Sequence, residues 1–446
     1  MKSLMKMVRQ FGESLITLVV SIILFLFNAV KFIVSLPARF VSYIREFLAD
    51  TDSVLKESLI ALSICAVGDL CAGIILGNME FFLQTYPGLM VIIPGAIGMR
   101  GNIFGSFGSR LSTHLHIGTI SPEFKRSDLL DENITASIIL TMALSVLLGA
   151  IAKVICILFN FPSISLFDFV LISFIAGLIS TVIMLPITMF ISLKSFEGGW
   201  DPDNITTPFI AAVGDFFTLP AIILSVLIVN LIGFDPIVKM VLFAIIILIT
   251  VVSLISGYTA DNEVRHIVRQ STPVLFFCSI LGTVAGGILN NSLSTLLKNQ
   301  TLLTLVPLFS GESGGLVSIL GARLSSGLHS GLIDPVLRPK KHTMENFIAI
   351  VTLAVVMYPL IGFLAESSTI AFNNIGVGYL QSILISLLAG MILILIMLLV
   401  VFYISTISYR RGLDPDNIVI PLSTSLTDSI STLILIVVSL GLLSLI

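Results

Sequence analysis

Two aspartates, Asp215 and Asp428, stand inside otherwise apolar runs and have the clearest capacity for chemistry in the chain. Each lies about ten residues into its run, too deep for the side chain to reach water by bending toward the helix end. Each also belongs to a stripe of small and hydroxylated residues at helical spacing. Thr207, Ala211, Asp215 and Thr218 form the first stripe, and Thr424, Asp428 and Ser431 form the second. Such a stripe across an apolar helix suits a water-filled path. Pro208 and Pro421 add acceptors, because proline removes the hydrogen bond to the carbonyl four residues back, here those of Asn204 and Asn417. A freed carbonyl inside protein can ligate a cation. Two carboxylates at one point would describe a divalent-cation site, since magnesium takes oxygen ligands and keeps several of its waters. The plainer alternative is a pair of silent, hydrogen-bonded aspartates that glue helices together. That explains one buried aspartate better than two in equivalent surroundings.

The elements that position these residues follow from composition. The chain has 446 residues, 56% hydrophobic and 11% charged, against roughly a quarter charged in a soluble domain. Lipid is therefore the expected solvent. A net charge of -3 supplies no basic surface for a phosphate backbone, so nucleic acid is not an expected partner. Apolar runs of about 20 residues can cross a bilayer as helices. They are predicted near 14–36, 59–83, 89–111, 134–159, 166–193, 206–232, 237–257, 273–296, 302–326, 346–365, 379–406 and 418–445. The first lacks a small-residue cleavage site and is kept as a spanning or interfacial helix of the chain. Cys65, Cys71, Cys156 and Cys278 lie in apolar runs without a C-x-x-C pair and read as small buried hydrophobes.

The runs fall into a long internal repeat. Adding 213 takes Pro94 to Pro307, Gly101 to Gly314, Arg110-Leu111-Ser112 to Arg323-Leu324-Ser325 and His116 to His329. The same offset takes Asp201-Pro202-Asp203-Asn204-Ile205 to Asp414-Pro415-Asp416-Asn417-Ile418, Pro208 to Pro421, and Asp215 to Asp428. Chance likeness between membrane helices matches leucine with isoleucine; it does not hold proline, arginine and aspartate in one register. Five spans make one unit, and the run at 237–257 stands between the two. An odd linker span restores the chain's direction, so the repeats are expected to be parallel about an axis along the membrane normal. The fold expected is an all-α polytopic membrane protein. Its divisions are an N-terminal hydrophobic helix (1–55), a first repeat (56–235), a linker helix (236–268) and a second repeat (269–446).

Basic residues orient it. Arg39, Arg45, Lys56, Lys125, Arg126, Lys194, Arg265, Arg269, Arg338, Lys340, Lys341, Arg410 and Arg411 fall on one side, and Lys2, Lys6, Arg9, Lys239 and Lys298 on the other. The richer side is expected to be cytoplasmic. The acidic loop residues Asp201, Asp203, Asp414 and Asp416 lie there, as a solvated helix start or as a vestibule that attracts cations.

Other polar groups within spans are few. Arg100 and Glu312 sit in glycine-rich stretches, 94–102 and 307–315, and their charges are expected to offset one another across the pseudo-axis; the alternative is that Glu312 attracts cations. Asp69 has Gly282 as its counterpart and so has no place in a symmetric site. It reads first as a locally hydrogen-bonded group. His114, His116 and His329 read as loop residues, since no carboxylate or cysteine is spaced to complete a zinc site with them.

From 56 to 445 the chain resembles the MgtE-type magnesium transporters, particularly the two-repeat solute carrier 41 proteins. Asp201-Pro-Asp-Asn-Ile-Thr-Thr-Pro208 through Gly214-Asp215 is similar to the family's last-helix signature, and Pro94 to Asn102 followed by Ser109-Arg110-Leu111-Ser112 to that of its second helix. The resemblance implies that two five-helix units form one pore, with Asp215 and Asp428 contacting a hydrated magnesium ion and Asn102 lining its path. Asn102 has Gly315 as its counterpart, so the pore should be chemically lopsided. The soluble gating domains of single-repeat relatives have no counterpart here, and gating is expected from loops or membrane helices.

The function expected is a magnesium channel or transporter of the cell membrane, a monomer acting as a pseudo-dimer. Its partners are lipid and the transported ion, with manganese and cobalt as further candidates; no cofactor is expected. No G-x-x-x-x-G-K-[ST] motif for ATP occurs. Sodium-coupled magnesium export would use the same acids. An intramembrane aspartyl protease also needs two aspartates, but it sets them in unlike motifs, whereas here their surroundings are duplicated. No enzyme is expected.

Overall fold

A computed structural model describes residues 53–121, 127–197, 202–232, 236–411 and 415–443. The expected N-terminal helix near 14–36 lies outside them. The described residues form thirteen helices: α1 (Ser53–Gly77), α2 (Glu80–Thr85), α3 (Leu89–Ile117), α4 (Asp128–Leu158), α5 (Leu166–Glu197), α6 (Pro202–Ile232), α7 (Pro236–Thr259), α8 (Glu263–Asn291), α9 (Leu293–Lys298), α10 (Gln300–His329), α11 (Lys341–Ala371), α12 (Tyr379–Arg410) and α13 (Pro415–Leu443). Eleven are long and apolar enough to cross a membrane, and they are the eleven runs anticipated after the first. Several exceed their apolar run because polar residues start them. In α4, for example, the Ser127 hydroxyl accepts the Leu130 N–H at 3.3 Å. The short α2 and α9 were not anticipated; six residues each, they are too short to register as spans.

Contacts recur at the 213-residue offset. Arg110 Nε donates to Asn133 Oδ1 at 2.8 Å, and Arg323 Nε to Asn346 Oδ1 at 2.5 Å. Each asparagine in turn donates to a carbonyl one turn back, Leu129 or His342, at 2.9 Å. One such device is preserved with its polarity reversed. Lys153 donates to Ser163 Oγ and the Ile164 carbonyl, both at 2.9 Å, and so fastens the loop between α4 and α5. Its counterpart Glu366 accepts from Val377 N at 3.2 Å and Gly378 N at 2.9 Å in the loop between α11 and α12, and from Thr301 Oγ1 at 2.7 Å. A carboxylate seeking donors has replaced an ammonium seeking acceptors, and the loop is held in both cases.

The two repeats exchange their first helices. α8 packs along α3 and α4 of the first repeat and meets its own repeat mainly at α13. α1 lies against α10 of the second repeat, and against Ala212 in α6 through Gly68. Glycine makes the crossings possible. A Cβ on Gly73 would collide with the Thr304 carbonyl oxygen, and one on Gly286 with the Val91 carbonyl oxygen. Gly73 and Gly286 are counterparts, as are Val91 and Thr304. Backbones can approach this closely only where no side chain intervenes.

The linker helix α7 stands outside this packing. Only 11% of its span is buried, against 33–72% elsewhere. It touches α4, α5 and α8, and is fastened by Lys239 Nζ to Asp168 Oδ1 at 2.6 Å and by an edge-to-face contact of Phe243 with Phe167. Its remaining apolar surface suits lipid.

Candidate functional site

Where α1, α3, α6, α10 and α13 converge they enclose a cavity of about 160 Å³. Both repeats contribute to it. Asp215 comes from α6 and Asp428 from α13, and both line the cavity with Asn102 and Thr424. The sequence-based selection of those four residues therefore converges on one place. Asp428 accepts a hydrogen bond from Ser310 Oγ at 2.7 Å, and Asn102 Nδ2 donates across the repeats to Ser425 Oγ at 3.0 Å. Glycines admit the carboxyls: a Cβ on Gly98 would stand 3.2 Å from Asp428 Oδ2.

Asp69 was not anticipated here. It projects from α1 into the same cavity and is 2% exposed, and its carboxyl lies within hydrogen-bonding reach of Asp215. Gly311, the counterpart of Gly98, makes room for it; a Cβ at 311 would collide with the Asp69 carboxyl. Nothing in the register pointed to Asp69, because the helix exchange carries α1 across to α10. Ser310 and Ser425 were missed for the same reason: their counterparts, Ile97 and Ala212, are apolar. The signal available was the glycine at 311, which marks a close approach without naming its partner.

Other expectations resolve differently. Thr218 is buried, donates to the Gly214 carbonyl of its own helix at 2.6 Å, and is not on the cavity wall. Ser431 donates to the Asp428 carbonyl at 3.0 Å. Asp201 and Asp414, and the side chains of Asn204, Thr207 and Asn417, lie outside the described residues. His114 pairs with Thr119 and His329 packs on Tyr409. Among the described residues no three carboxylate, thiol or imidazole groups stand close enough to hold a bare ion.

The expected pairing of Arg100 with Glu312 does not occur. Arg100 is fully buried and points toward α4 and α5, where Nη2 donates to Ser145 Oγ at 3.3 Å; Nε and Nη1 have no partner among the described residues. Glu312 is fully buried, both its carboxyl oxygens lack a hydrogen-bond partner among the described residues, and it is not on the cavity wall. The physical reason is register. The counterpart of Arg100 is Ser313, which bonds Tyr358 at 3.1 Å, and Tyr358 is the counterpart of Ser145. Arginine with serine in one repeat thus fills the niche that serine with tyrosine fills in the other. Arg100→Met and Glu312→Met each remove an incompletely satisfied buried group, and each is expected to raise stability by about 1–3 kcal/mol. With no shared partner, the two gains should add. Thermal melting of the single and double variants in detergent checks this; a double variant differing sharply from the sum would mean that the groups interact.

The sequence profile of the MgtE family, described as a divalent cation transporter, matches residues 93–226 and again 306–438, more than half of the chain. The chain belongs to the MgtE family. Its two matched segments begin 213 residues apart, which is the offset of the internal repeat. Among curated relatives, this MgtE protein is 24% identical over 431 residues to solute carrier family 41 member 3 of Rattus norvegicus, covering 87% of this chain and 89% of the relative. It is 24% identical over 420 residues to member 2 of Xenopus laevis, covering 85% and 72%, and 23% identical over 411 residues to the human member 2, covering 85% and 69%. No solved structure matches significantly. Family membership and eleven candidate spans make it a multi-pass membrane transporter of divalent cations rather than an enzyme.

Proposed function

We propose that the protein conducts magnesium across the cell membrane through the cavity shared by its two repeats, as a single chain doing the work of two subunits. The repeats run parallel, because five spans lie between α1 and α8 and an odd number makes α8 cross in the same direction as α1. A hydrated ion rests between Asp215 and Asp428, with Asn102 and Thr424 offering further oxygens. The freed carbonyls of Asn204 and Asn417, the Thr207 hydroxyl, and the acidic pair Asp201 and Asp414 serve the cytoplasmic approach.

The observation that carries this reading is that both last-helix aspartates line one cavity. The two aspartates, Asn102 and Thr424 offer oxygen, which suits magnesium, manganese or calcium, and Cys65 adds only a single thiol to the wall. Among the described residues no three ligating side chains could hold a bare ion, which suits an ion that keeps its water, as magnesium does. Inward movement of a divalent ion down 100 mV yields about 4.6 kcal/mol, twice the single-charge value, so uptake needs no ATP.

Flux of magnesium into proteoliposomes tests the proposal. Uptake driven by an inside-negative potential without sodium supports a conductive path. Uptake strictly dependent on an opposed sodium gradient would replace it with sodium-coupled exchange. No divalent flux under either condition would overturn it.

A further inference from the structure

Asp69 breaks the pseudo-symmetry of the cavity. At the equivalent place in the second repeat, Gly282 packs against the backbone of Gly95, where a Cβ would come within 2.7 Å of the Gly95 Cα. No carboxyl fits there. On the first side α1 stands off far enough for a full carboxyl, and Gly311 is cut back to receive it. That carboxyl is almost fully buried and lines the cavity; among the described residues the charged groups that act on it are all acids, Glu312, Asp428 and Asp215, with Asp215 within hydrogen-bonding reach. Among the described residues no N–H, hydroxyl or basic side chain bonds Asp69 or Asp215. Two facing carboxyls with no other donor either share a single proton or are offset by positive charge, and the cavity they share is where a cation would pass and displace that proton.

We infer that Asp69 is a third cation-binding carboxylate of this site, setting its affinity and its preference for divalent over monovalent ions. The inference rests on the transport reading above. Since the three acids do not form a cluster that could grip a bare ion, Asp69 acts through the ion's water shell and through its charge. Its contribution therefore scales with ionic charge: an added anion lowers the free energy of a divalent ion by twice what it does for a monovalent one at the same distance. The helix exchange is what delivers it, because α1 brings a first-repeat carboxyl onto the second repeat's α10.

The test is the concentration dependence of magnesium uptake into proteoliposomes, with sodium as a competing ion, for the wild-type chain, Asp69→Asn and Gly311→Ala. Asp69→Asn keeps shape and removes charge. It should raise the KM for magnesium about tenfold and the inhibition constant for sodium only about threefold, half the free energy, with the maximal rate held within about twofold. Gly311→Ala, which displaces the Asp69 carboxyl, should raise the magnesium KM in the same direction and keeps the inference testable if Asp69→Asn does not fold. A folded variant with an unchanged magnesium KM, or with both constants raised equally, would overturn the inference. Absence of divalent flux in the wild-type chain would instead remove the transport reading beneath it.

Discussion

Asp215→Asn and Asp428→Asn should each lower magnesium uptake into proteoliposomes at least about tenfold, and the double change should abolish it. Asparagine keeps the size and one carbonyl oxygen, so the cavity wall remains, but each substitution removes a full charge from a site that opposes a divalent one. At an effective dielectric of about 20, a unit charge about 4 Å from a divalent ion contributes several kcal/mol, and even strong attenuation by water leaves more than the 1.4 kcal/mol of a tenfold change. Asp428 also accepts from Ser310 Oγ, a bond that the asparagine carbonyl can retain, so loss of flux there reports charge and not a collapsed wall. Size-exclusion profiles like that of the wild-type chain are required of each variant. Normal flux from the folded double variant would show that the aspartates are structural.

The second large effect concerns assembly. Gly73→Val and Gly286→Val should each prevent a stable fold, seen as loss of the monodisperse species in detergent and of any cooperative melt. Each side chain would be driven into a backbone carbonyl, Thr304 for one and Val91 for the other, where no flexible side chain can yield. Overpacking in a core costs about 1–3 kcal/mol; collision with backbone belongs at or beyond the top of that range, and marginal stabilities of about 5–15 kcal/mol leave little reserve. Because the two crossings are counterparts, the two substitutions should have similar effects. Tolerance of valine at either position would mean that the repeats do not exchange their first helices.

Much of the architecture was legible in the sequence because the bilayer enforces it. Eleven apolar runs map onto eleven helices, and Pro, Arg and Asp held the 213-residue register where apolar residues could not. Asp215 and Asp428 stood out because a carboxyl is costly in an apolar run, Thr424 because it shares a helix face with Asp428, and Asn102 only through the family resemblance; all four line the cavity. Two things were hidden. A glycine at 73 or 311 announces a close approach but not which helix approaches, so the exchange of α1 and α8, and with it the place of Asp69, required three dimensions. Charge signs likewise suggested that Arg100 and Glu312 would pair, but position around a helix decides which neighbour a side chain meets, and a one-residue offset between 99 and 100 turns them to different niches.

The central claim is that one divalent ion occupies the cavity between the two last-helix aspartates. It is tested most directly by anomalous diffraction from crystals of the full chain soaked in manganese, an oxygen-seeking stand-in for magnesium. A single strong peak bounded by Asp215 and Asp428, and absent in the Asp215→Asn, Asp428→Asn variant, is the result expected. A peak elsewhere in the membrane region that survives the double substitution would contradict it.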